Sequence, residues 1–236
     1  MDGITTISGS LWFNGGSSGS AVLGCYITGN INIGNGEATV ADMLIRYCNV
    51  SSVQVKNRTC LGTIINQNYI RSGSNFSNCS CTFSNNITGH VHNMNDGIIC
   101  NNVFIQNNGY FTFWDVNNAT IRDNVFIVWQ GTNECREISA FHNMFIGSEW
   151  GDCINLSDVN WSDIFIKNNG IVPTSNYHFK ESYKQYEGLY GIYSGSGFND
   201  NQLAPVPYIV AKRVDEQTDA SGKLNVKIRV KASGDE

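Results

Sequence analysis

Acidic and histidine side chains recur at similar intervals through the middle of the chain, and they are the residues best suited to chemistry. In chain order the carboxylates are Asp96, Asp115, Glu134, Asp152 and Asp158. Two carboxyl groups flanking a glycosidic bond can act as acid and base in hydrolysis, and a histidine can transfer protons near neutral pH. Asp96, Asp115, Asp152 and His92 are therefore the candidate catalytic residues.

Tryptophan side chains accompany these acids. Trp114 precedes Asp115, Trp150 follows Glu149, and Trp129 lies between the two pairs. An aromatic face packs against a sugar ring, and a carboxylate beside it accepts hydrogen bonds from hydroxyl groups. We predict that Trp114, Trp129, Trp150 and Glu149 bind a polysaccharide and share one groove with the acids. The alternative, that they are ordinary loop residues, stays open.

His90 and His92 form a His-x-His pair, which could supply half of a metal site. The sequence identifies no third ligand, so we predict no metal site and interpret the pair as part of a polar loop.

The cysteines lack the Cys-x-x-Cys spacing of a metal site. Three gaps between them resemble the repeat length found below, namely those of Cys25 to Cys48, Cys81 to Cys100, and Cys135 to Cys153. We interpret these cysteines as small buried residues that fill equivalent places in successive turns.

Composition excludes two kinds of partner. The net charge is −5 and charged residues make up 15% of the chain, so no basic stripe is available to neutralise a nucleic acid. No apolar run is long enough to span a membrane as a helix. Asparagine and glycine fill the place of the missing charged residues, and both are poor helix formers.

A short phrase centred on asparagine recurs along the chain, as in Ile99–Ile105 and Ile121–Ile127. The marked asparagines are Asn49, Asn68, Asn86, Asn102, Asn124, Asn143 and Asn169. A polar residue usually precedes each of them, and apolar residues stand three places before and two places after. The steps between them vary, which a linear solenoid tolerates because extra residues bulge out as loops.

These fixed positions predict columns of equivalent side chains. The apolar columns are Ile65, Phe83, Ile99, Ile121 and Ile166 before the asparagine, and Ile70, Phe104, Phe126, Phe145 and Ile171 after it. Stacked asparagines can hydrogen-bond as a ladder and suit a tight bend. We therefore predict an all-β fold, a right-handed parallel β-helix solenoid of about eight rungs. Leucine is too scarce for leucine-rich repeats, and hairpin signals are too few for a β-sandwich.

The phrases at Asn101–Ile105 and Asp123–Ile127 resemble the pectate-lyase-like family of parallel β-helix proteins, over roughly Val22–Val172. The end of the chain, from Gly191 onward, resembles the close of secreted β-helix proteins of gut bacteria. This resemblance implies an exported or surface protein that faces glycans. Lyases of this fold use calcium with a basic residue, and hydrolases use clustered aspartates. Neither set matches here residue by residue, so no cofactor is expected, and calcium is implied only for a lyase.

The repeat stops near Val172, and three regions follow from this boundary. Residues 1–174 are predicted to form the β-helix, residues 175–204 an aromatic segment that caps its open end, and residues 205–236 a β-hairpin tail. A sugar platform is the alternative for the aromatic segment. Because strand-like sequence begins almost at the first residue, we expect the chain to be a piece of a longer precursor.

Three functions fit these observations. The first is an extracellular or cell-surface β-helix protein that binds polysaccharide or serves as a structural module. The second is a polysaccharide lyase or glycoside hydrolase acting in a groove along the helix. The third is an adhesin or tail-spike-like module for host recognition.

Overall fold

The structure, a computed structural model, describes residues 5–34, 39–56, 60–105, 109–146, 150–156, 158–195, 197–198, 200, 208–214 and 226–231. Its strands, in chain order, are β1 (Thr5–Ile7), β2 (Leu11–Phe13), β3 (Ala21–Leu23), β4 (Cys25–Ile33), β5 (Leu44–Arg46), β6 (Asn49–Val55), β7 (Thr63–Asn66), β8 (Tyr69–Ile70), β9 (Ser74–Cys79), β10 (Cys81–Ser84), β11 (Ile87–Thr88), β12 (Val91–Met94), β13 (Ile98–Cys100), β14 (Val103–Ile105), β15 (Phe113–Trp114), β16 (Thr120–Arg122), β17 (Val125–Val128), β18 (Thr132–Asn133), β19 (Ser139–Phe145), β20 (Asp152–Asn155), β21 (Phe165–Lys167), β22 (Asn176–Phe179), β23 (Tyr208–Val214) and β24 (Val226–Lys231). The helices are α1 (Trp161–Ile164) and two 3-10 helices, Glu181–Tyr186 and Gly191–Tyr193.

Strands β1 to β20 form one 20-stranded parallel assembly, in which each strand pairs with strands one turn away. They stack as three faces. Face A contains β3, β5, β7, β10, β13, β16 and the start of β19. Face B contains β1, the start of β4 and β6, then β8, β11, β14, β17, the end of β19 and β20. Face C contains β2, the end of β4 and β6, then β9, β12, β15 and β18.

This arrangement is a parallel β-solenoid of about six turns, which confirms the predicted fold class with slightly fewer turns than expected. One of the missing turns is the one predicted around Asn169. There, β21 pairs antiparallel with β22, so the parallel repeat has already ended. Ile166 is 55% exposed and Ile171 is only half-buried, and neither joins the interior columns.

The predicted apolar columns otherwise fill the interior. On face A the stacked residues are Val22, Ile45, Ile65, Phe83, Ile99 and Ile121, in register from turn to turn. On face B the rings of Phe104, Phe126 and Phe145 stack at centroid distances of 4.9 and 4.5 Å and lie within 8° and 11° of parallel. Fully burying one such side chain contributes about 1.5–3 kcal/mol, so each turn depends on its neighbours for stability.

The asparagine ladder lies between faces A and B. Its members are Asn68, Asn86, Asn102, Asn124 and Asn143, all fully buried. Each Nδ2 in the first four donates to the Oδ1 of the next member, at 2.9 to 3.2 Å. Each backbone N–H of these four also donates to the same oxygen. The ladder therefore satisfies buried polar groups that would each cost about 1–3 kcal/mol if left unpaired.

Two marked asparagines are not in this ladder, so their prediction was wrong. Asn49 pairs with Tyr69 in the register of face B, and the ladder position in that turn belongs to Cys48. Asn169 lies in the segment that follows the solenoid, where its backbone N–H donates to Ser175.

The residue before each ladder position has a left-handed backbone. The residues at this bend are Gly24, Tyr47, Gln67, Asn85, Asn101, Asp123 and His142, with φ between 51° and 62°. Most of them are polar or glycine, the types that tolerate this conformation at low cost. The polar residues that precede the marked asparagines in the sequence therefore lie at successive bends of the solenoid.

The described residues of the segment 158–200, which we call the strap, pack along the outside of face B. Outward side chains of this face are covered by the strap, and they are Tyr69, Ile87, Val103, Val125 and Met144. The Gly191 N–H donates to the carbonyl oxygen of Asp123 at 2.8 Å, and the Asn85 amide donates to the carbonyl oxygen of Ile192 at 2.8 Å. The aromatic segment predicted to cap the open end thus covers apolar surface on the side of the solenoid.

The chain divides into two compact units, residues 1–202 and 203–236. The second contains the antiparallel pair β23 and β24, as expected for a β-hairpin tail. The predicted turn at Asp219–Gly222 lies outside the described residues.

Candidate functional site

A stripe of side chains points outward along face C. It consists of Trp12, Asn32, Gln54, Asn75, His92, Trp114 and Asn133, which are in register from turn to turn. Strand alternation explains it, because the neighbours Val91 and Phe113 point inward and are fully buried. The stripe is polar in the middle and aromatic near each end.

One end of the stripe widens into a cluster that we call the aromatic patch, formed by His90, His92, Tyr110, Phe111 and Trp114. Tyr110 is 54% exposed, Phe111 41% and Trp114 39%. The Trp114 ring lies edge-on to His92 at 5.9 Å and to Phe111 at 6.5 Å between centroids. The His90 and His92 rings stack at 4.2 Å, and Tyr110 lies 5.8 Å from His90. The five rings therefore form one continuous surface.

Hydrogen bonding and close packing fix the histidines within the patch. His92 Nε2 lies 3.0 Å from the carbonyl oxygen of Phe111, so this nitrogen carries the proton. Burial lowers the pKa of His92, although the Phe111 carbonyl acts in the opposite direction. Gly73 leaves room for His90, because a Cβ atom on this glycine would lie 2.4 Å from the ring. His92 is accordingly a neutral hydrogen-bonding ring at neutral pH.

Carboxylates lie next to the patch, at the corner between faces C and A. Asp115 follows Trp114 directly, and Glu134 occupies the equivalent place one turn on. Asp96 lies at the same corner, because Asn95 pairs with Asn117 one turn on. Asp115, Glu134 and Asp96 all adopt left-handed backbone angles, φ 51°, 57° and 56°. Asp115 and Glu134 thus follow Trp114 and Asn133 in equivalent places of neighbouring turns, whereas Asp96 lies at a second bend, equivalent to Asn118. The chemical roles of all three stay predictions.

Two predicted acids lie elsewhere. Asp152 pairs with Phe141 at the end of the solenoid, on the side where the strap approaches. There burial raises the pKa of Tyr190, and the carboxylates of Asp123 and Asp152 add to this shift. Asp158 is exposed at the start of the strap. Glu149 lies outside the described residues.

Trp129 and Trp150 do not join the patch either. Their rings stack on each other at 5.2 Å, and Trp129 lies 5.1 Å from Phe145 and 5.0 Å from Phe126. Both are half-buried against the interior column. They cover the last phenylalanines of the core, which gives them a packing role.

Tyr110 and Phe111 were not among the residues predicted from the sequence. The available signal was two consecutive large aromatic residues directly after a glycine, three places before Trp114. Such a pair in a bend between strands cannot bury both rings, because neighbouring side chains diverge.

Within the described ranges, no cluster of three or more His, Cys, Asp and Glu side chains could hold a metal ion. The search for membrane-spanning helices, over the same residues, finds none that is long and apolar enough.

Compared with known proteins, the chain matches no protein-family model, no curated protein and no solved structure. The β-solenoid fold therefore rests on the structure itself, and the resemblance to the pectate-lyase-like family finds no support in a family or homologue.

Proposed function

We propose that the aromatic patch binds a polysaccharide, and that the protein acts outside the cell or on its surface. The observation that supports this most is the exposure of Tyr110, Phe111 and Trp114 as one group of contacting rings. Each large aromatic side chain buries about 150–250 Å² when it packs. Exposing three of them to water in one place is therefore unfavourable unless a ligand covers them. A secreted protein of the pectate-lyase-like kind from a gut bacterium would fit this role.

Polar groups around the rings favour a sugar over an apolar ligand. The Asn133 side chain continues the stripe beyond Trp114, and Asn75 continues it beyond His92. Asp115 accepts a hydrogen bond from the Asn117 amide at 2.8 Å, which fixes its carboxylate at the border of the patch. Aromatic faces flanked by amides and a carboxylate match the alternation of C–H faces and hydroxyl edges in a sugar.

A second candidate function is hydrolysis of the bound glycan. It is favoured by Asp115 and Glu134, which occupy equivalent places in neighbouring turns. Parallel strands are spaced by about 4.8 Å, close to the ~5–5.5 Å that separates the carboxyl groups of retaining glycosidases. Release of reducing ends from a bound polysaccharide, lost in Asp115→Asn, would show that the site is catalytic.

The test of binding is a panel of acidic and neutral polysaccharides measured by affinity electrophoresis and calorimetry. Trp114→Ala and Tyr110→Ala are expected to weaken binding at least about tenfold, because each removes a stacking surface. Trp161→Ala is the matched control, since Trp161 is also 39% exposed but lies in α1 on the strap. Trp114→Ala with undiminished affinity, or a panel with no ligand, would refute the proposal and leave an architectural or adhesin role.

A further inference from the structure

Two cysteines continue the asparagine ladder at its start. The Cys48 N–H donates to Asn68 Oδ1 at 2.9 Å, as the N–H of each ladder asparagine does to its successor. Cys48 Sγ lies 3.5 Å from the Val22 oxygen and 3.3 Å from the Arg46 oxygen. The Asn68 amide contacts equivalent carbonyl groups one turn on. Cys48 therefore stands in the ladder position of its turn.

Cys25 occupies the same position one turn earlier. Tyr26 pairs with Asn49 in the register of face B, which places Cys25 next to Cys48. Each thiol lies close enough to the other to shift its pKa. Adjacent parallel strands are about 4.8 Å apart, inside the ~4.4–6.8 Å range of Cα distances that a disulfide requires. Equivalent side chains also leave the backbone in the same direction, so the Cβ atoms start about 4.8 Å apart and need to approach by a few tenths of an ångström to reach the ~3.5–4.5 Å of a disulfide.

Other cysteines lack this combination of contact and access. Cys81 pairs with Thr63, Cys100 with Ser84 and Arg122, and Cys153 with Asn143. Cys60 and Cys79 do meet, with the Cys60 N–H 3.2 Å from Cys79 Sγ, but both are buried to 1% exposure or less. Cys25 is half-buried, so a reagent can reach its sulfur from solvent.

We propose that Cys25 and Cys48 are a redox pair that forms a disulfide between the first two turns when the folded protein meets a small-molecule disulfide. The Cys25 thiolate attacks one sulfur of the oxidant, forming a mixed disulfide and releasing one thiolate. Cys48 then loses its proton, and its sulfur attacks the Cys25 sulfur of the mixed disulfide and releases the second half of the oxidant. Two protein thiols are oxidised, and one disulfide is reduced to two thiols.

Electrostatics agree with this order of attack. The hydrogen bond from the Cys48 thiol lowers the pKa of Cys25 to about 7, so a large share of it is thiolate at neutral pH. The same hydrogen bond, followed by burial, raises the pKa of Cys48. Cys25 is therefore the attacking residue and Cys48 the resolving one.

The experiment treats the reduced, folded protein with oxidised glutathione without denaturant, then blocks remaining thiols and maps peptides by mass spectrometry. We expect a Cys25–Cys48 cross-link, the loss of two hydrogens from the intact mass, and a rise of several degrees in the melting temperature. Cys135→Ser, a half-buried cysteine elsewhere, should leave the cross-link unchanged.

Two variants separate this mechanism from a change in folding. Cys48→Ser should stop at the mixed disulfide, carrying one glutathione on Cys25, and Cys25→Ser should give neither product, with circular dichroism spectra matching wild type. A mixed disulfide that persists on wild-type Cys25, a cross-link between other cysteines, or no reaction at Cys25 would overturn the proposal.

Discussion

The outward sides of faces B and C are built from the same kind of strand but differ in how far their side chains are buried. On face B the outward residues include Ile87, Val103 and Val125, which are at most 1% exposed because the strap covers them. On face C the equivalent stripe carries His92 and Trp114, and in the described part of the chain Trp114 remains 39% exposed. Aliphatic side chains have no polar edge, so water-exposed columns of them are costly. Rings with polar edges can remain at the surface and meet a ligand.

Within one solenoid, the outward side of face B is therefore part of the folded core, and the outward side of face C is the surface that we propose binds a ligand. The covered face stabilises the fold by adding a second hydrophobic cluster outside the turns. On face C, where Trp114 is 39% exposed, we expect a smaller contribution to stability and propose a role in recognition. The same substitution should therefore have different consequences on the two faces.

The largest expected effect is a charge placed under the strap. Val125→Asp should lower the free energy of unfolding by at least about 3 kcal/mol, because the carboxylate would be buried without a partner. On face C, Asn133→Asp should change it by less than about 0.5 kcal/mol, because that side chain reaches water. Urea unfolding of both variants measures the difference. Equal losses of unfolding free energy in the two variants would show that the two faces do not differ in this way.

A smaller effect is expected from loosening the strap. Gly191 has φ 71°, and a Cβ atom there would lie 3.1 Å from Val125 and 3.4 Å from Val103. Gly191→Ala should cost about 1–2 kcal/mol through backbone strain and crowding. It should also increase binding of a hydrophobic dye as face B opens. If the Gly191→Ala variant is destabilised but binds no more dye than the wild-type protein, the strap does not cover this face.

The matching glycine on face C should affect binding more than folding. Gly73 has an ordinary backbone, but Gly73→Ala would place a methyl group against the His90 ring and displace it. We expect a stability loss below about 1 kcal/mol, because the ring can move toward solvent. Polysaccharide affinity should fall, as measured by calorimetry, since the stacked His90 and His92 rings support Tyr110 and Trp114. Unchanged affinity with a displaced ring would place the ligand elsewhere.

The smallest expected effect is the pH dependence of the patch. Because burial lowers the pKa of His92 below its ordinary value of 6.5, the unfolded chain takes up a proton more readily than the folded one. The contribution to stability is full above pH 6.5 and is lost as the pH falls from 6.5 toward the lowered pKa. His92→Gln should therefore flatten the slope of unfolding free energy against pH in this window. An identical slope in the variant would contradict the assignment.

The sequence was sufficient to predict the interior, and the reason is periodicity. The asparagines from Asn68 to Asn143 and the phenylalanines from Phe104 to Phe145 repeat with each turn, because each contacts its counterpart. The predicted register is wrong at Asn49. In that turn Cys48 occupies the ladder position, so the asparagine is displaced by one residue.

The candidate site was predictable only in part. His92, Trp114 and Asp115 follow from strand alternation, because consecutive residues occupy known positions on face C. The orientation of Trp129 and Trp150 could not be predicted in this way, because both lie in bends between strands, where a side chain can turn inward or outward. The path of the strap along face B could not be predicted, because its partners, such as Asp123 and Tyr69, are far away in sequence.

The most direct measurement of the division between the two faces is amide hydrogen exchange with and without the polysaccharide that binds most tightly in the panel. We expect slower exchange in Val91–Met94, Phe113–Trp114 and Thr132–Asn133, with no change in the strap. Protection confined to the strap or to the outward side of face B, with face C unaffected, would contradict this expectation.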